Sequence, residues 1–226
     1  MTIQSELALA FQFFEEKQFI ESKNLYEEIL EKNLTLNETI QLRYAYGYPL
    51  SALGLVEEAN ENYTALEIIG KEDSNNEIIS QAIHQAGMVC RQNAYYECAL
   101  KKFFEEKDFI EEHFNEKNLF KSANHYELGY AYLMKDDFEE AYHFFNQSLE
   151  EAKQAENSIM LACSQRGLGE YYIKQNNRDE AIRHKVSNKA ITYSEIYKQY
   201  FMHELNQGKF PTQIFREAGF DTQVLG

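Results

Sequence analysis

The stretch from His125 to Leu149, HYELGYAYLMKDDFEEAYHFFNQSL, decides the fold of this chain. Its apolar residues recur at helical spacing on both sides of a polar pair, Asp136-Asp137, which predicts two amphipathic helices joined by a short turn. The first predicted helix contains Gly129 and the second contains Ala141. A glycine inside a helix costs about 0.5–1 kcal/mol relative to alanine. We therefore expect the two helices to pack closely at Gly129, with Ala141 as the small partner across the crossing.

The same pair of small residues returns along the chain at nearly constant spacing. The glycines are separated by 40, 42 and 40 residues, and an alanine follows each one twelve positions later: Gly47, Gly87, Gly129 and Gly169, then Ala59, Ala99, Ala141 and Ala181. Ala10 and Ser22 show the same interval at the start of the chain. Such self-similarity is the signature of a repeat architecture, in which each unit buries its apolar face against the next. Turns are predicted at Lys17-Gln18, Gly54-Leu55, Asn93-Ala94, Asp136-Asp137 and Asn176-Asn177.

The segment LGYAYLMKDDFEEAYHFF resembles the consensus of the tetratricopeptide repeat (TPR). It has a small residue and then an aromatic residue in the first helix, followed by an alanine and an aromatic residue in the second. The resemblance covers roughly residues 3–190 and implies an all-α fold, a right-handed superhelical solenoid of about five helix pairs with a C-terminal capping helix.

The chain also departs from the family pattern. It contains no Trp, and no proline ends any second helix. The period is near 40 residues instead of the 34 of the TPR, which implies longer second helices, such as one from Tyr95 to about Lys117. Pro49 lies inside a predicted first helix, where a kink or an early break is expected. The simpler interpretation of Pro49 is a tolerated irregularity, and the alternative is a functional hinge.

We divide the chain into a repeat array, residues 1–190, and a C-terminal part, residues 191–226. The sequence of the second part predicts a capping helix and a short terminal helix that begins at Pro211. A solenoid leaves its last apolar face open, so a cap is expected on physical grounds. A homodimer contact through the C-terminal helix is the alternative.

Composition restricts the classes of partner. The formal net charge is −15, from 37 acidic against 22 basic residues, which disfavours direct binding to nucleic acid or to an anionic membrane. No apolar run approaches the roughly 20 residues of a membrane span. Cys90, Cys98 and Cys163 are odd in number and lack C-x-x-C spacing, so we expect buried reduced thiols. The N-terminus lacks the pattern of a signal peptide, and the expected location is cytoplasmic.

No catalytic constellation or cofactor motif is present. The sequence has no glycine-rich phosphate loop, no G-x-S-x-G and no H-E-x-x-H. Adjacent carboxylates such as Glu139-Glu140 point in different directions along a helix and are typical of solvated surface. We therefore predict no catalytic residues, no metal site, no cofactor and no enzymatic activity.

The candidate ligand-binding residues follow from the resemblance, because TPR proteins commonly bind peptides on the concave surface lined by their first helices. Counting from each glycine, positions −6, −3, +1, +4 and +5 share that face. The candidates are Gln41, Tyr44, Tyr48, Gln81, His84, Arg91, Gln92, Tyr126, Tyr130, Arg166, Glu170 and Lys174. Tyrosine and arginine are enriched in binding hot spots, glutamine can hydrogen-bond a peptide backbone, and three bases against one acid favour an acidic ligand. Alternatively, the aromatic side chains at these positions simply pack between repeats.

The leading hypothesis is a non-enzymatic module that binds a peptide or protein tail in this groove. The roughly 40-residue repeats are similar to those of the Gram-positive signalling-peptide receptors of the Rap, PlcR and Rgg group. This resemblance leaves three alternatives for the chain, namely a separated sensor part of a regulator, a fragment or an unrelated adaptor. The second hypothesis is a scaffold that assembles proteins through its convex or C-terminal surface. A third is an accessory role in which the protein blocks an enzyme or regulator.

Overall fold

The computed structural model describes residues 2–114 and 118–175 of the 226-residue chain. In these ranges the chain forms nine α-helices and no β-strand, which confirms the all-α repeat fold. The helices are α1 (Ile3–Glu15), α2 (Phe19–Leu30), α3 (Leu36–Ala52), α4 (Val56–Glu72), α5 (Asn76–Gln92), α6 (Tyr96–His113), α7 (Asn118–Met134), α8 (Phe138–Gln154) and α9 (Ser158–Lys174). Odd-numbered helices are the first helices of the repeats and even-numbered helices are the second helices.

The chain forms two compact units, Met1–Asn115 and Glu116–Gly226. In the first unit each of the helices α1 to α5 packs against the next one along the chain, and the first helices α1, α3 and α5 also contact one another in order. In the second unit α7 packs on α8, α8 packs on α9, and the first helices α7 and α9 are in contact. First helices therefore line up beside one another within each unit.

The turn inside each repeat has one backbone conformation. Lys17, Gly54, Ala94 and Asp136 have φ values of 63°, 74°, 64° and 60°. After each of them the next amide donates to a carbonyl five residues earlier, as in Leu55 N to Leu50 O at 2.9 Å and Asp137 N to Tyr132 O at 3.0 Å. This is the Schellman closure of a helix C-terminus. Four of the five predicted turns are confirmed, and the fifth, Asn176-Asn177, lies outside the described residues.

Polar caps begin the first helices. The Thr35 hydroxyl accepts from Glu38 N while the Glu38 carboxylate accepts from Thr35 N, which is a capping box. Asn75 accepts from two amides at the start of α5, and Asn157 accepts from Met160 N at the start of α9. Side chains at regular intervals thus stop one repeat and start the next.

The repeated glycines make room for aromatic rings of the second helices. A Cβ placed on Gly129 would lie 2.7 Å from Phe145 Cδ1. The nearest atoms to Gly47 and Gly87 belong to Tyr63 and Phe103 in the same way. The close approach expected at Gly129 is present, but the residue that fills it is Phe145 and not Ala141, because a missing Cβ leaves space for a flat ring.

Each unit has its own apolar core. In the first unit the largest fully buried side chains include Tyr26, Tyr63 and Phe103, and in the second they include Phe145 and Leu128. Tyr26, Tyr63, Phe103 and Phe145 occupy the same repeat position. Their burial confirms the stripe of aromatic residues predicted from the sequence.

Two local expectations about helix ends are wrong. Helix α3 continues through Pro49 to Ala52, so an early break does not occur there, and the other expectation at Pro49, a kink, stays a prediction. Pro49 lies in the last turn, where only one ladder hydrogen bond is lost, and its carbonyl accepts from Leu53 N at 3.0 Å. Helix α6 ends at His113 and not near Lys117. First and second helices are almost equally long from α3 onward, at 17 or 18 residues, so the extra length of the repeat is shared by both.

The expectation of three reduced thiols is also wrong. Cys90 and Cys98 form a disulfide that links α5 to α6 across the turn of the third repeat, while Cys163 is a free cysteine. A spacing of eight residues around a tight turn brings the end of one helix beside the start of the next.

Within the described ranges, no helix is long and apolar enough to cross a membrane. The predicted boundary at residue 190, the position of Ala181 and the predicted C-terminal helices lie outside the described residues.

Candidate functional site

In the first unit the predicted groove residues Gln41 and Gln92 each contact the first helix of the preceding repeat. Gln4 Nε2 on α1 donates to Gln41 Oε1 on α3 at 3.0 Å. Ser51 Oγ on α3 donates to Gln92 Oε1 on α5 at 2.8 Å. Gln4 and Gln41 occupy the same repeat position, whereas Ser51 and Gln92 differ by one position, and both contacts bring side chains of neighbouring first helices together.

An aromatic cluster occupies the same face. The Tyr48 ring lies 5.7 Å from that of Phe14, 5.9 Å from that of Tyr44 and 6.4 Å from that of Phe11, measured between centroids. Phe11 is 38% exposed. Burial raises the pKa of the Tyr48 hydroxyl above its ordinary value, so Tyr48 stays neutral at physiological pH. The cluster presents an uncharged apolar surface at the N-terminal end of the first unit.

Tyr44 links two repeats through its hydroxyl. Gln85 Nε2 on α5 donates to the Tyr44 hydroxyl at 3.1 Å, and the Tyr63 hydroxyl donates to the Tyr44 carbonyl at 3.2 Å. The hydroxyl and the carbonyl of Tyr44 therefore bond neighbouring helices, and its half-buried ring faces the aromatic cluster.

His84 is directed toward the second helix of its own repeat. Its Nδ1 lies 2.9 Å from Glu106 Oε2 on α6, and Glu106 is 2% exposed. A buried carboxylate requires a partner of this kind. Arg91 Nη2 lies 3.6 Å from Met88 Sδ on the same helix, and both side chains remain half-buried on the face. Gln81 is exposed.

In the second unit the same positions centre on Tyr126. Arg166 on α9 donates a hydrogen bond to the Tyr126 hydroxyl, and the guanidinium carbon lies 5.7 Å from the centre of the Tyr126 ring. Burial raises the pKa of Tyr126 to about 12, although Arg166 acts in the opposite direction. The Tyr130 ring lies 5.4 Å from that of Tyr126 and 5.9 Å from that of Phe145.

Each base on this face of the second unit has a carboxylate close to it. Arg166 Nε lies 4.0 Å from Glu170 Oε1. Lys174 Nζ donates to Asp136 Oδ1 at 2.7 Å and to the Leu133 carbonyl at 2.8 Å, at the C-terminal end of α7. A cation at a helix C-terminus stabilises the helix, so Lys174 has a structural role. The positive potential expected for this part of the face is correspondingly reduced.

The first repeat also contributes residues to this face, although none was predicted there. Gln4 and Phe11 lie at positions −6 and +1 relative to Ala10, which takes the place of the repeated glycine. The signal was present, because Ala10 and Ser22 had already been assigned to the repeat. Extending the count to α1 would have predicted both residues.

A second concave feature lies on the second helix α8. A cleft of about 860 Å³ is lined there by Lys121, Glu139, His143, Gln147 and Glu150, among others. His125 Nδ1 lies 2.8 Å from Glu151 Oε2 at its edge. Among the described residues, no group of three His, Cys, Asp or Glu side chains is arranged to hold a metal ion.

Comparison with protein families identifies the repeat. Residues 121–185 match the tetratricopeptide repeat family model. The matched segment contains the stretch from His125 to Leu149, and the nine helices of the described ranges have a TPR-like fold. A search of curated proteins found no match.

Solved structures of TPR-like proteins share the fold. RapI in its apo form has a TM-score of 0.64 at 17% identity, with 96% of this chain and 64% of that chain covered. The nearly identical TPR-like repeats of a kinesin light chain from Podosopora anserina have a TM-score of 0.60 at 17% identity, with 92% and 97% covered. BtubC (BKLC) from P. vanneervenii has a TM-score of 0.60 at 17% identity, with 79% and 75% covered. This chain thus spans less than two thirds of the length of RapI.

Proposed function

We propose that this protein is a non-enzymatic TPR-like interaction module that binds a peptide or protein partner on the face formed by its first helices. The observation that carries the proposal is the set of direct contacts that candidate residues make with the neighbouring first helix, Gln41 with Gln4 and Tyr126 with Arg166. These contacts hold polar and aromatic groups in fixed positions on a continuous surface within each unit. A preorganised surface loses less conformational entropy when a ligand binds.

The sensor part of a peptide-responsive regulator is the more specific form of this proposal. Two findings support it, namely the resemblance of the 40-residue repeats to those of the Rap, PlcR and Rgg group and the likeness of the fold to apo RapI. The TPR match to residues 121–185 supports the broader interaction role independently.

A scaffold that assembles proteins through another surface is the second candidate. The cleft on α8 favours it, because it lies on a second helix and is lined by charged and amide side chains. Charge reversal on the first-helix face discriminates between the two candidates, since partner binding should be lost in the first case and retained in the second.

Native mass spectrometry of the tagged protein purified gently from its own host tests the proposal. We expect a small co-purifying mass with the unaltered protein and its loss from an Arg91→Glu/Arg166→Glu variant. Lys153→Glu on α8 is the matched control, because it reverses an exposed charge on a second helix. A whole protein retained by all forms would contradict the groove and favour the scaffold.

The cytoplasmic location, the homodimer contact through the C-terminal helix and the absence of direct nucleic-acid binding stay predictions from the sequence.

A further inference from the structure

The first unit carries an uncharged face on its first helices. It consists of the residues at four matching repeat positions in each of α1, α3 and α5. We call these twelve residues the neutral face. They are Gln4, Leu7, Ala8 and Phe11 on α1, Gln41, Tyr44, Ala45 and Tyr48 on α3, and Gln81, His84, Gln85 and Met88 on α5. None is Asp, Glu, Lys or Arg, although 26% of the chain is charged. On so acidic a protein this is a marked local difference.

One edge of the neutral face is a row of amides. Gln4, Gln41 and Gln81 occupy the same position in three successive first helices, and all three are exposed. The bond from Gln4 Nε2 to Gln41 Oε1 uses one of the two N–H donors of Gln4. An amide offers two donors and one acceptor oxygen, which is the chemistry needed to bond the N–H and C=O groups of an extended peptide backbone.

A row of apolar side chains runs parallel to the amides. Phe11, Tyr48 and Met88 lie seven residues further along their respective helices. Phe11 is 38% exposed and meets Tyr48 edge to face. Aromatic and methionine side chains supply contact area without fixed charge, so this row suits the apolar or aromatic side chains of a ligand.

We propose that the neutral face binds an extended peptide segment that lacks charged side chains and places an apolar or aromatic side chain on the Phe11–Tyr48 row. The proposal rests on the proposed function and names the class of its ligand. Arg91 lies beside Met88 at one end of this face, but elsewhere a charged ligand side chain would lose hydration without meeting an opposite charge among the twelve residues, which costs free energy. The neutral face therefore selects against charged segments, in contrast to the acidic ligand expected from the sequence.

The spacing of the helices fixes the length of the segment. Packed helices lie about 8–10 Å apart, and an extended chain rises about 3.3 Å per residue. One first helix is therefore crossed by about three ligand residues, and the three amides of the neutral face match a segment of about nine residues.

A random nine-residue peptide library selected on the immobilised full chain tests the inference. We expect the enriched peptides to be depleted of Asp, Glu, Lys and Arg and to contain an apolar or aromatic residue at a recurrent position. Their affinity should fall about tenfold or more with Gln41→Arg and with Phe11→Ala. Asn24→Arg on α2 and Ile68→Ala on α4 are the matched controls, since both alter exposed residues of second helices, and they should change affinity by less than about twofold.

The outcomes separate this inference from the proposed function. Enrichment of acidic peptides that is lost with Arg91→Glu/Arg166→Glu would overturn the neutral-face inference and keep the peptide-binding function. Enriched peptides that bind equally to all variants, or a library that yields no enriched peptide, would also overturn it. A partner protein captured from the host and retained by every first-helix variant would contradict the proposed function itself.

Discussion

Arg166 donates a hydrogen bond to the hydroxyl of Tyr126, one repeat earlier, and places its guanidinium 5.7 Å from the centre of the same ring. Tyr44 has the matching position in the first unit, and its hydroxyl accepts from Gln85 of the next first helix. In both units the tyrosine three residues before the repeated glycine thus links consecutive first helices. A residue chosen as a ligand contact also holds the face together.

This link predicts coupling between Tyr126 and Arg166. Tyr126→Phe keeps the ring and removes the hydrogen-bond acceptor, and we expect it to lower the free energy of unfolding by about 0.5–1.5 kcal/mol. Arg166→Met should have a similar effect, and the double variant should cost less than the sum of the two. Urea unfolding followed by circular dichroism measures all three, and strict additivity would show that the two residues act independently.

Substitution of Gly129 should lower the free energy of unfolding more than substitution of Tyr126 or Arg166. Phe145 fills the space of both Gly129 and Gly167, so Gly129→Ala forces a methyl group into a buried ring. We expect a loss of about 1–3 kcal/mol in the free energy of unfolding. Phe145→Leu in the Gly129→Ala background should restore part of this loss, because the smaller side chain relieves the overlap.

Gly54→Ala is the control for that experiment. A Cβ at Gly54 meets nothing nearer than Asn93 Oδ1 at 3.8 Å, but the residue has φ +74°. Its cost therefore comes from the backbone alone, at about 1 kcal/mol. If Phe145→Leu relieved Gly54→Ala as much as Gly129→Ala, the proposed packing of Gly129 would be wrong.

The glycines also show what the sequence could predict. The spacing of small residues indicated the helix pairs, the turns and the close approach, because helical period and the cost of glycine are local properties. The identity of the filling side chain, Phe145, depends on which residues meet at a crossing between two helices, and no local pattern contains that information. The pairing of Lys174 with Asp136 depends on the same kind of contact.

For the candidate face, too, the sequence predicted positions along each helix but not the contacts between helices. Counting along a helix predicted that Gln41, Tyr48 and Gln92 share one side, and Gln41 and Gln92 each contact the preceding first helix. The count does not show that His84 turns toward the buried Glu106 of α6, because that orientation follows from the need to pair a buried carboxylate. The positive charge of the face was overestimated from the residue list for a similar reason, because Lys174 bonds Asp136, a residue outside that list.

Buried tyrosines predict loss of stability in alkaline solution. Burial raises the pKa of Tyr26 and Tyr126 to about 12, whereas the value in an unfolded chain is about 10. A raised pKa in the folded state contributes stability that is present below pH about 10 and is lost as the pH rises toward 12. We expect tyrosinate absorbance and loss of helical circular dichroism to rise together in this range. Ionisation of all tyrosines with retained helicity would contradict the burial of these hydroxyls.

Tyr26→Phe refines that test. The Tyr26 hydroxyl is buried without a hydrogen-bond partner in the described part of the chain. Removing it costs no hydrogen bond and relieves a desolvated polar group, so the variant should be at least as stable as the unaltered protein at neutral pH. It should also resist alkaline unfolding to a higher pH.

The disulfide predicts the reactivity of the three cysteines. With Cys90 and Cys98 joined and Cys163 free, alkylation of the denatured, unreduced protein should label one cysteine, and prior reduction should raise the count to three. Mass spectrometry of intact protein gives both numbers. Cys98→Ser should expose a second reactive thiol, at Cys90, after denaturation, whereas labelling of three cysteines without reduction would show that the bond is absent.

Substitution of Lys174 should change the stability of the protein without changing its affinity for peptides. Its ammonium group bonds the Leu133 carbonyl and Asp136 at the end of α7, and its side chain is 36% exposed. Lys174→Gln should therefore lower the free energy of unfolding by about 0.5 kcal/mol, and less at high salt because solvent ions screen the pair. Peptides selected on the neutral face should bind this variant with unchanged affinity. If affinity fell while stability stayed the same, Lys174 would be a ligand contact, as the sequence first indicated.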